Sequence, residues 1–405
     1  MDELIYASAT ALAKAIRAKQ VSAQEVVSAY LERIEAVNPQ LNAVVQLTAD
    51  VALEEARAAD DALARGDLKG PLHGVPMTIK DSLDTAGVIT TGGTKGRQAF
   101  IPSQDATVVA RLRATGAILL GKTNTPELTL SAETDNLVYG RTNNPYNPAL
   151  IPGGSSGGAA AIVAAGGSPF DLGSDTGGSI RQPAHFCSLA GLKPTSGRVP
   201  RTGHIVSYDL GALDALTQIG PMARFVEDLR LILPIIAGVD WRDPAIVPMP
   251  LGDPSAVELK GLRAAFYTDN GIVSPTPETA SVVEAAVDAL SEAGVAAEEN
   301  RPLEVETTGG LWLQLVVADG GAWIRRLLQE AGTTEVHPIL QNRFLGHKAL
   351  PSADFTALLT ELDRVRSAML SFLANYDLII CPVNAFPAMP HGAVSARGDG
   401  YTYTR

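Results

Sequence analysis

Apolar positions recur along this chain at helical and strand spacings in turn. Between Ser22 and Asn38, the residues Val27, Tyr30, Leu31 and Ile34 return every three to four positions, the spacing of one buried helix face. Ser22 and Glu25 stand at its start as a Ser-x-x-Glu capping box, and Asn38-Pro39 is expected to end it. Leu41 to Leu47 reads as a strand, and an Ala-rich helix follows from Ala49 to Arg65, closed by Gly66. Val75 to Ile79 is a short continuous apolar run, the pattern of a buried strand, with Lys80 at its end. Asp105 to Ala114 reads as a helix followed by Gly116, and Ala117 to Leu120 as the next strand. Further on, Thr276 and Pro277 open a helix with Val283, Ala286, Val287 and Leu290 on one face, ended by Gly294. Ser352 begins a longer helix with Phe355, Leu358, Leu362, Val365 and Met369, and Asp377 to Cys381 reads as a strand stopped by Pro382. This alternation predicts an α/β layered fold.

Residues 140–205 break the pattern. They hold a dense set of Gly, Ser, Thr and Pro with one helix expected, Ser156 to Ala165, and their regular spacing argues against a flexible linker. Residues 240–257 are rich in Pro and Asp and read as a surface excursion. No internal repeat, heptad array or low-complexity tract is visible.

Composition narrows the function classes. At 405 residues, length alone suggests two or three domains, although single α/β domains reach this size. Two cysteines, Cys187 and Cys381, exclude a disulfide framework. Lys and Arg total 32 against 44 Asp and Glu, so the net charge is −12, a poor match to non-specific nucleic-acid or anionic-membrane binding. The acidic start Met1-Asp2-Glu3-Leu4 is unlike a signal peptide, and no apolar run approaches the roughly 18 residues of a membrane span. The expected location is the cytoplasm.

The chemistry concentrates in Gly153-Gly154-Ser155-Ser156-Gly157-Gly158 and Asp175-Thr176-Gly177-Gly178-Ser179-Ile180-Arg181. Either run alone would pass as a tight turn. No P-loop Gly-Lys-Ser/Thr follows these glycines, and the spacing does not fit a dinucleotide fingerprint. Gly153-x-Ser155-x-Gly157 matches a nucleophile elbow, but the Pro-rich Asn144 to Pro152 before it is no central strand. None of His185, His204, His337, His347 or His391 stands in a recognisable triad context. No His-Glu-x-x-His or Cys-x-x-Cys occurs, so neither metal nor other cofactor is implied.

Together with Gly191-Leu192-Lys193-Pro194-Thr195, these runs resemble the signature of the amidase signature family of serine hydrolases. The likeness extends upstream to Gly74-Val75-Pro76-Met77-Thr78-Ile79-Lys80-Asp81 and downstream to Gln218-Ile219-Gly220-Pro221-Met222-Ala223-Arg224, and weakens beyond residue 245. It implies a twisted mixed β-sheet core flanked by α-helices on both sides, with 1–405 as one domain. By position it implies Ser179 as nucleophile, Ser155 as bridging serine behind a cis Gly154–Ser155 peptide, and Lys80 as base. A serine hydroxyl needs a base to become a nucleophile, and lysine can act only when neutral, a form that burial favours. The expected oxyanion hole is the backbone of Thr176, Gly177, Gly178 and Ser179. Thr129 and Ser131 are candidate substrate contacts in the acyl pocket. Ser156, Asp175 and Arg181 are expected to hold the loop rather than react, Lys193 to be structural, and Cys187 to be a small buried hydrophobe. Ser188 stands where the family more often has Gly.

The implied reaction is hydrolysis of a carboxylic amide to carboxylate and ammonia or amine through an acyl-enzyme on Ser179. Thr125-Pro126-Glu127-Leu128 stands where the glutaminase subunit of tRNA-dependent amidotransferases usually shows Met-Asp-Glu-Phe, and Tyr139-Gly140-Arg141-Thr142 is more similar to the stand-alone amidases. A stand-alone amidase acting on a linear amide is therefore expected ahead of that subunit, and ahead of a non-catalytic binding protein that keeps the fold. The expected partner is a small-molecule amide, with no nucleic acid and no membrane. Oligomeric state is left open, the family often forming homodimers. The chain stops at Tyr401-Thr402-Tyr403-Thr404-Arg405, where family members usually continue for several tens of residues, and a missing C-terminal segment is expected.

Overall fold

The capping box at Ser22 forms as its spacing predicts. Ser22 Oγ accepts from the Glu25 amide at 3.0 Å, and Glu25 Oε2 accepts from the Ser22 amide at 2.8 Å. In the computed structural model, which describes residues 2–208 and 216–393, the helix that follows is Ala23–Leu41. It runs past the expected stop at Asn38-Pro39. A proline in the last turn removes one amide donor, and the helix end is fastened separately: Asn38 Oδ1 accepts from the amides of Ala43 and Val44 at 2.8 Å. Asn42, in the left-handed region at φ +50°, then turns the chain, so the strand starts at Val44 rather than Leu41.

Six strands form a mixed sheet: β1 Val44–Leu47, β2 Pro76–Lys80, β3 Ile118–Thr123, β4 Phe170–Asp175, β5 Ala190–Gly191 and β6 Gln218–Ala223. Their order is β1-β3-β2-β4-β6-β5. The three central strands β3, β2 and β4 run parallel, and β1, β6 and β5 pair antiparallel with their neighbours. Each residue of β2, β3, β4 and β6 is buried, which explains why β2 reads as continuous rather than alternating. Helices Ala23–Leu41, Ala49–Ala64, Thr107–Ala114 and Val226–Ile236 close the main core through residues such as Tyr30, Ile34, Ala56, Leu112 and Ile232. Helix Gly157–Ala164 is apolar all round because it is buried from Gly157 through Val163.

By its internal contacts the chain divides into two compact units. One is Met1–Met249 with Arg325–Asn342 and Pro390–Val394. The other holds Pro250–Ile324 and Arg343–Met389. The division falls inside the Pro- and Asp-rich stretch 240–257. The second unit carries a parallel three-stranded sheet in the order β8-β7-β9, with β7 Arg263–Phe266, β8 Ala296–Glu299 and β9 Leu378–Ile380. Its helices Pro277–Glu292 and Ser352–Leu373 begin where expected, with Val283, Val287, Leu358 and Val365 buried. The chain end at Tyr401 to Arg405 lies outside the described residues.

Helix Arg181–Phe186 ends in a Schellman turn, the Leu189 amide donating to the Ala184 carbonyl at 2.8 Å. Ser188 occupies its left-handed position at φ +54° and is exposed. An L-residue there carries a steric cost that glycine lacks. Ser188→Gly is expected to raise unfolding free energy by about 0.5–1 kcal/mol, read as a higher urea midpoint with unchanged slope.

Candidate active site

β2 and β4 are parallel neighbours, so their C-terminal ends lie on one edge of the sheet, where α/β folds place their chemistry. Thr78 pairs with Asp171 and Ile79 with Leu172, which sets Lys80 beside Gly173 and just short of Ser174. Lys80 is fully buried. Its Nζ lies 2.6 Å from Ser155 Oγ, 2.9 Å from Ser156 Oγ and 2.9 Å from Ser174 Oγ. An ammonium has three protons to donate, and three hydroxyls take them. Hydroxyls also donate, so the same cage satisfies a neutral amine once one of them turns its proton toward nitrogen. Burial pushes the Lys80 pKa down to about 7, against the opposing pull of the Asp175 and Asp171 charges. Near pH 8 the amine is mostly neutral and its lone pair can accept a proton.

Ser155 is brought to Lys80 by a tight loop. The Gly154–Ser155 peptide is cis, as the resemblance implied. A side chain at Gly154 would meet the Ser131 carbonyl at 2.7 Å, so only glycine allows this approach. Thr134 Oγ1 donates to the Gly153 carbonyl at 2.9 Å, and the Gly157 amide donates back to it at 3.1 Å, pinning both ends of the loop. The Ser156 amide donates to the Ser179 carbonyl at 3.2 Å, which draws the second signature run alongside the first. Ser155 is buried, whereas Ser179 is half-buried and so reachable from solvent.

Asp175 organises the second run. Its carboxylate accepts from the amides of Gly178 at 2.8 Å, Ile180 at 3.1 Å and Arg181 at 3.3 Å. Arg181 closes on it through Nε and a terminal nitrogen, each at 2.9 Å. Burial opposes the charge, but the Arg181 bonds and charge, with the Lys193 charge and the Gly178 amide, outweigh it and hold the pKa down to about 2. Gly178 adopts φ +113°, a backbone state suited to glycine. Its amide is committed to Asp175. Of the four amides expected to form an oxyanion hole, those of Thr176, Gly177 and Ser179 therefore remain candidates, and that of Gly178 is a loop support.

The other expectations fall in varied places. Ser156 does more than hold the loop, because its hydroxyl touches Lys80 directly. Ser174 was missed: it lies in a strand that the Gly- and Ser-rich composition concealed. The hydrogen bonds around Lys80 do not include Thr129 or Ser131. Thr129 ends a short 3₁₀ turn, Glu127–Thr129, at φ +62°, and Ser131 Oγ accepts from the Glu133 amide. Cys187 is fully buried and its thiol pKa is pushed up by burial, as fits a small hydrophobe. Residues 144–152 form no strand, which leaves the nucleophile-elbow alternative without its scaffold.

The amidase family model matches residues 25–404. The chain belongs to this family, whose enzymes hydrolyse amides. A glutamyl-tRNA(Gln) amidotransferase subunit from Moorella thermoacetica is 45% identical over 300 residues, 73% of this chain, and the chain spans 61% of that protein's length. The protein of the same name from Nitratidesulfovibrio vulgaris is 37% identical over 424 residues, covering 98% of this chain and 85% of its own. Among solved structures, a fatty acid amide hydrolase superposes with a TM-score of 0.87 at 30% identity, covering 96% of this chain and 69% of its own. No helix of the described residues is long and apolar enough to cross a membrane.

These relatives overturn the expectation of a stand-alone amidase. They also overturn the expectation of a small-molecule partner without nucleic acid, since they are named as a subunit of an enzyme acting on a tRNA. The tetrapeptide Thr125-Pro126-Glu127-Leu128 misled because the three positions at which it departs, Thr125, Pro126 and Leu128, are buried and answer to packing; the shared Glu127 is held in place. Glu127 is buried and accepts from Thr94 Oγ1 at 2.8 Å and from the His337 amide at 2.7 Å. A net charge of −12 bears only on the averaged field and non-specific attraction.

Asp175→Asn is expected to cost about 1–3 kcal/mol at pH 7, a figure kept modest because Arg181 is part-exposed. A carboxyl with a lowered folded pKa contributes stability above its unfolded value of about 3.9 and loses it as pH falls toward about 2. Urea melts of wild type and variant should therefore differ most above pH 4 and converge below it.

Proposed function

We propose that this chain is the glutamine-hydrolysing subunit of a tRNA-dependent amidotransferase, releasing ammonia for amidation of a tRNA-linked carboxylate. The observation that carries this reading is the 45% identity to a relative named as a subunit of such an enzyme, with a second relative matching along 98% of the chain.

In the proposed reaction, neutral Lys80 takes a proton from Ser155, which takes one from Ser179. Ser179 Oγ bonds to the side-chain carbonyl carbon of glutamine. The oxyanion is met by the amides of Thr176, Gly177 and Ser179. The relay then runs backward: the C–N bond breaks as nitrogen receives a proton and leaves as ammonia. Water attacks the glutamyl ester with the same relay as base, and glutamate departs as Ser179 regains its proton. The 2.6 Å contact between Lys80 and Ser155, and a Ser179 that is only half-buried while Ser155 is buried, support this order of transfer.

A fluorophosphonate should label wild type at Ser179 and fail to label Ser179→Ala. Lys80→Ala should fold yet lose about 10²–10⁴-fold in ammonia release. The rate in wild type should rise with pH through about 7 as Lys80 loses its proton, since the neutral amine is the base. The chain should copurify with partner subunits and release ammonia from L-glutamine in their presence. An amide panel in which other amides turn over and glutamine does not, with partners present, would overturn the glutaminase reading.

A further inference from the structure

One fully buried carboxyl beside the lysine takes no part in the steps above. Asp171 stands on β4, paired with Thr78 of β2. Its Oδ2 accepts a hydrogen bond from Thr123 Oγ1 at 3.0 Å. Thr123 lies on β3, as the strand partner of Lys80. β2 runs between β3 and β4, so those two backbones are about 10 Å apart. A hydroxyl on one can meet a carboxyl on the other only above the backbone of β2. Thr78 and Lys80, two residues apart, share a face of β2, and their strand partners Asp171 and Thr123 lie on that face too. The Thr123 bond therefore hangs the Asp171 carboxyl over β2, beside the lysine stem.

We propose that Asp171 is a positioning residue for the proton relay: its carboxyl, held over β2 by Thr123, raises the proton affinity of Lys80 so that the buried amine stays basic enough to deprotonate Ser155. This inference rests on Lys80 being the base. Asp175 also faces Lys80 and its charge pulls on the amine more strongly than that of Asp171, but it is itself paired with Arg181 at 2.9 Å. Asp171 has no such ion pair among the described residues. Burial pushes its own pKa up to about 7, opposed by the Thr78 and Thr123 hydroxyls and by Lys80 and Lys122. Lys122 projects from β3, where it donates to the Leu83 carbonyl, Thr85 and Thr90; burial lowers its pKa, opposed first by the Asp81 charge, then by Asp84 and Asp171. His204 is kept neutral, its pKa pushed down to about 3 by burial and then by Lys80. Lys80 and Asp171 thus titrate in one window, and their apparent values belong to the pair.

The test is direct titration of Lys80 by NMR in protein carrying 13Cε-labelled lysine, its resonance assigned by loss in Lys80→Met. In Asp171→Asn the Lys80 titration should move down by about one pH unit. The acid limb of the pH profile for fluorophosphonate labelling of Ser179 should move down with it, a readout independent of which amide is the substrate. Thr123→Val, which keeps the shape and removes the hydroxyl, should give a smaller shift in the same direction and serves if Asp171→Asn does not fold. Melting of Asp171→Asn at pH 8 should be no lower than wild type, because a charged buried carboxylate has been removed; a structural role alone would lower it. An unchanged Lys80 titration in both variants overturns the inference. A shifted titration with an unmoved acid limb leaves the coupling standing and overturns Lys80 as base.

Discussion

A primary amine held in the middle of a sheet, away from water and bonded to hydroxyls rather than carboxylates, is the constraint to which the surrounding architecture answers. A carboxylate bonded to Lys80 would lock the ammonium form. Bulk water would restore its ordinary pKa. Ser155, Ser156 and Ser174 do neither, since each can reverse its hydrogen bond as the proton leaves. Delivering three serines to one nitrogen takes a strand end, a loop with a cis peptide and a helix start. This is why parallel β2 and β4 must finish together.

The second requirement is a set of amides that hold still. Asp175 gathers the Gly178, Ile180 and Arg181 amides around one buried carboxylate and anchors the cluster with the Arg181 side chain. The run between β4 and helix Arg181–Phe186 is thereby a rigid turn. Gly173 opposite it has no room for a side chain, because a Cβ would sit 2.8 Å from Ser156 Oγ. Backbone shape and lysine cage are built from the same few residues, and a substitution at one is felt by the other.

Much of the scaffold is legible from residue pattern. The capping box at Ser22, the buried run at β2 and the helix starts at Pro277 and Ser352 follow from local chemistry alone. β4 was hidden: Asp171, Gly173, Ser174 and Asp175 break its apolar pattern, and these are residues that serve the site. Pro39 misled because a proline in the last turn removes only one helical amide, and Asn38 fastens the turn that follows. The preference for a stand-alone amidase failed for a related reason. It leaned on Thr125-Pro126-Glu127-Leu128 and Tyr139-Gly140-Arg141-Thr142, and all of the first four are buried, so their identities answer to packing.

By itself, the sequence determined the family, the identity of Lys80, Ser155 and Ser179 as the candidate relay, and the need for glycine around them. Those depend on residue type and spacing, which a linear text preserves. Tertiary structure alone decided that Ser156 and Ser174 complete the lysine cage, that the Gly178 amide faces Asp175, and that Thr123 suspends Asp171 above β2. Each is a meeting of groups brought together by strand register and loop closure. Hydrogen bonds and desolvation act over a few ångströms of space, however far apart their partners lie along the chain.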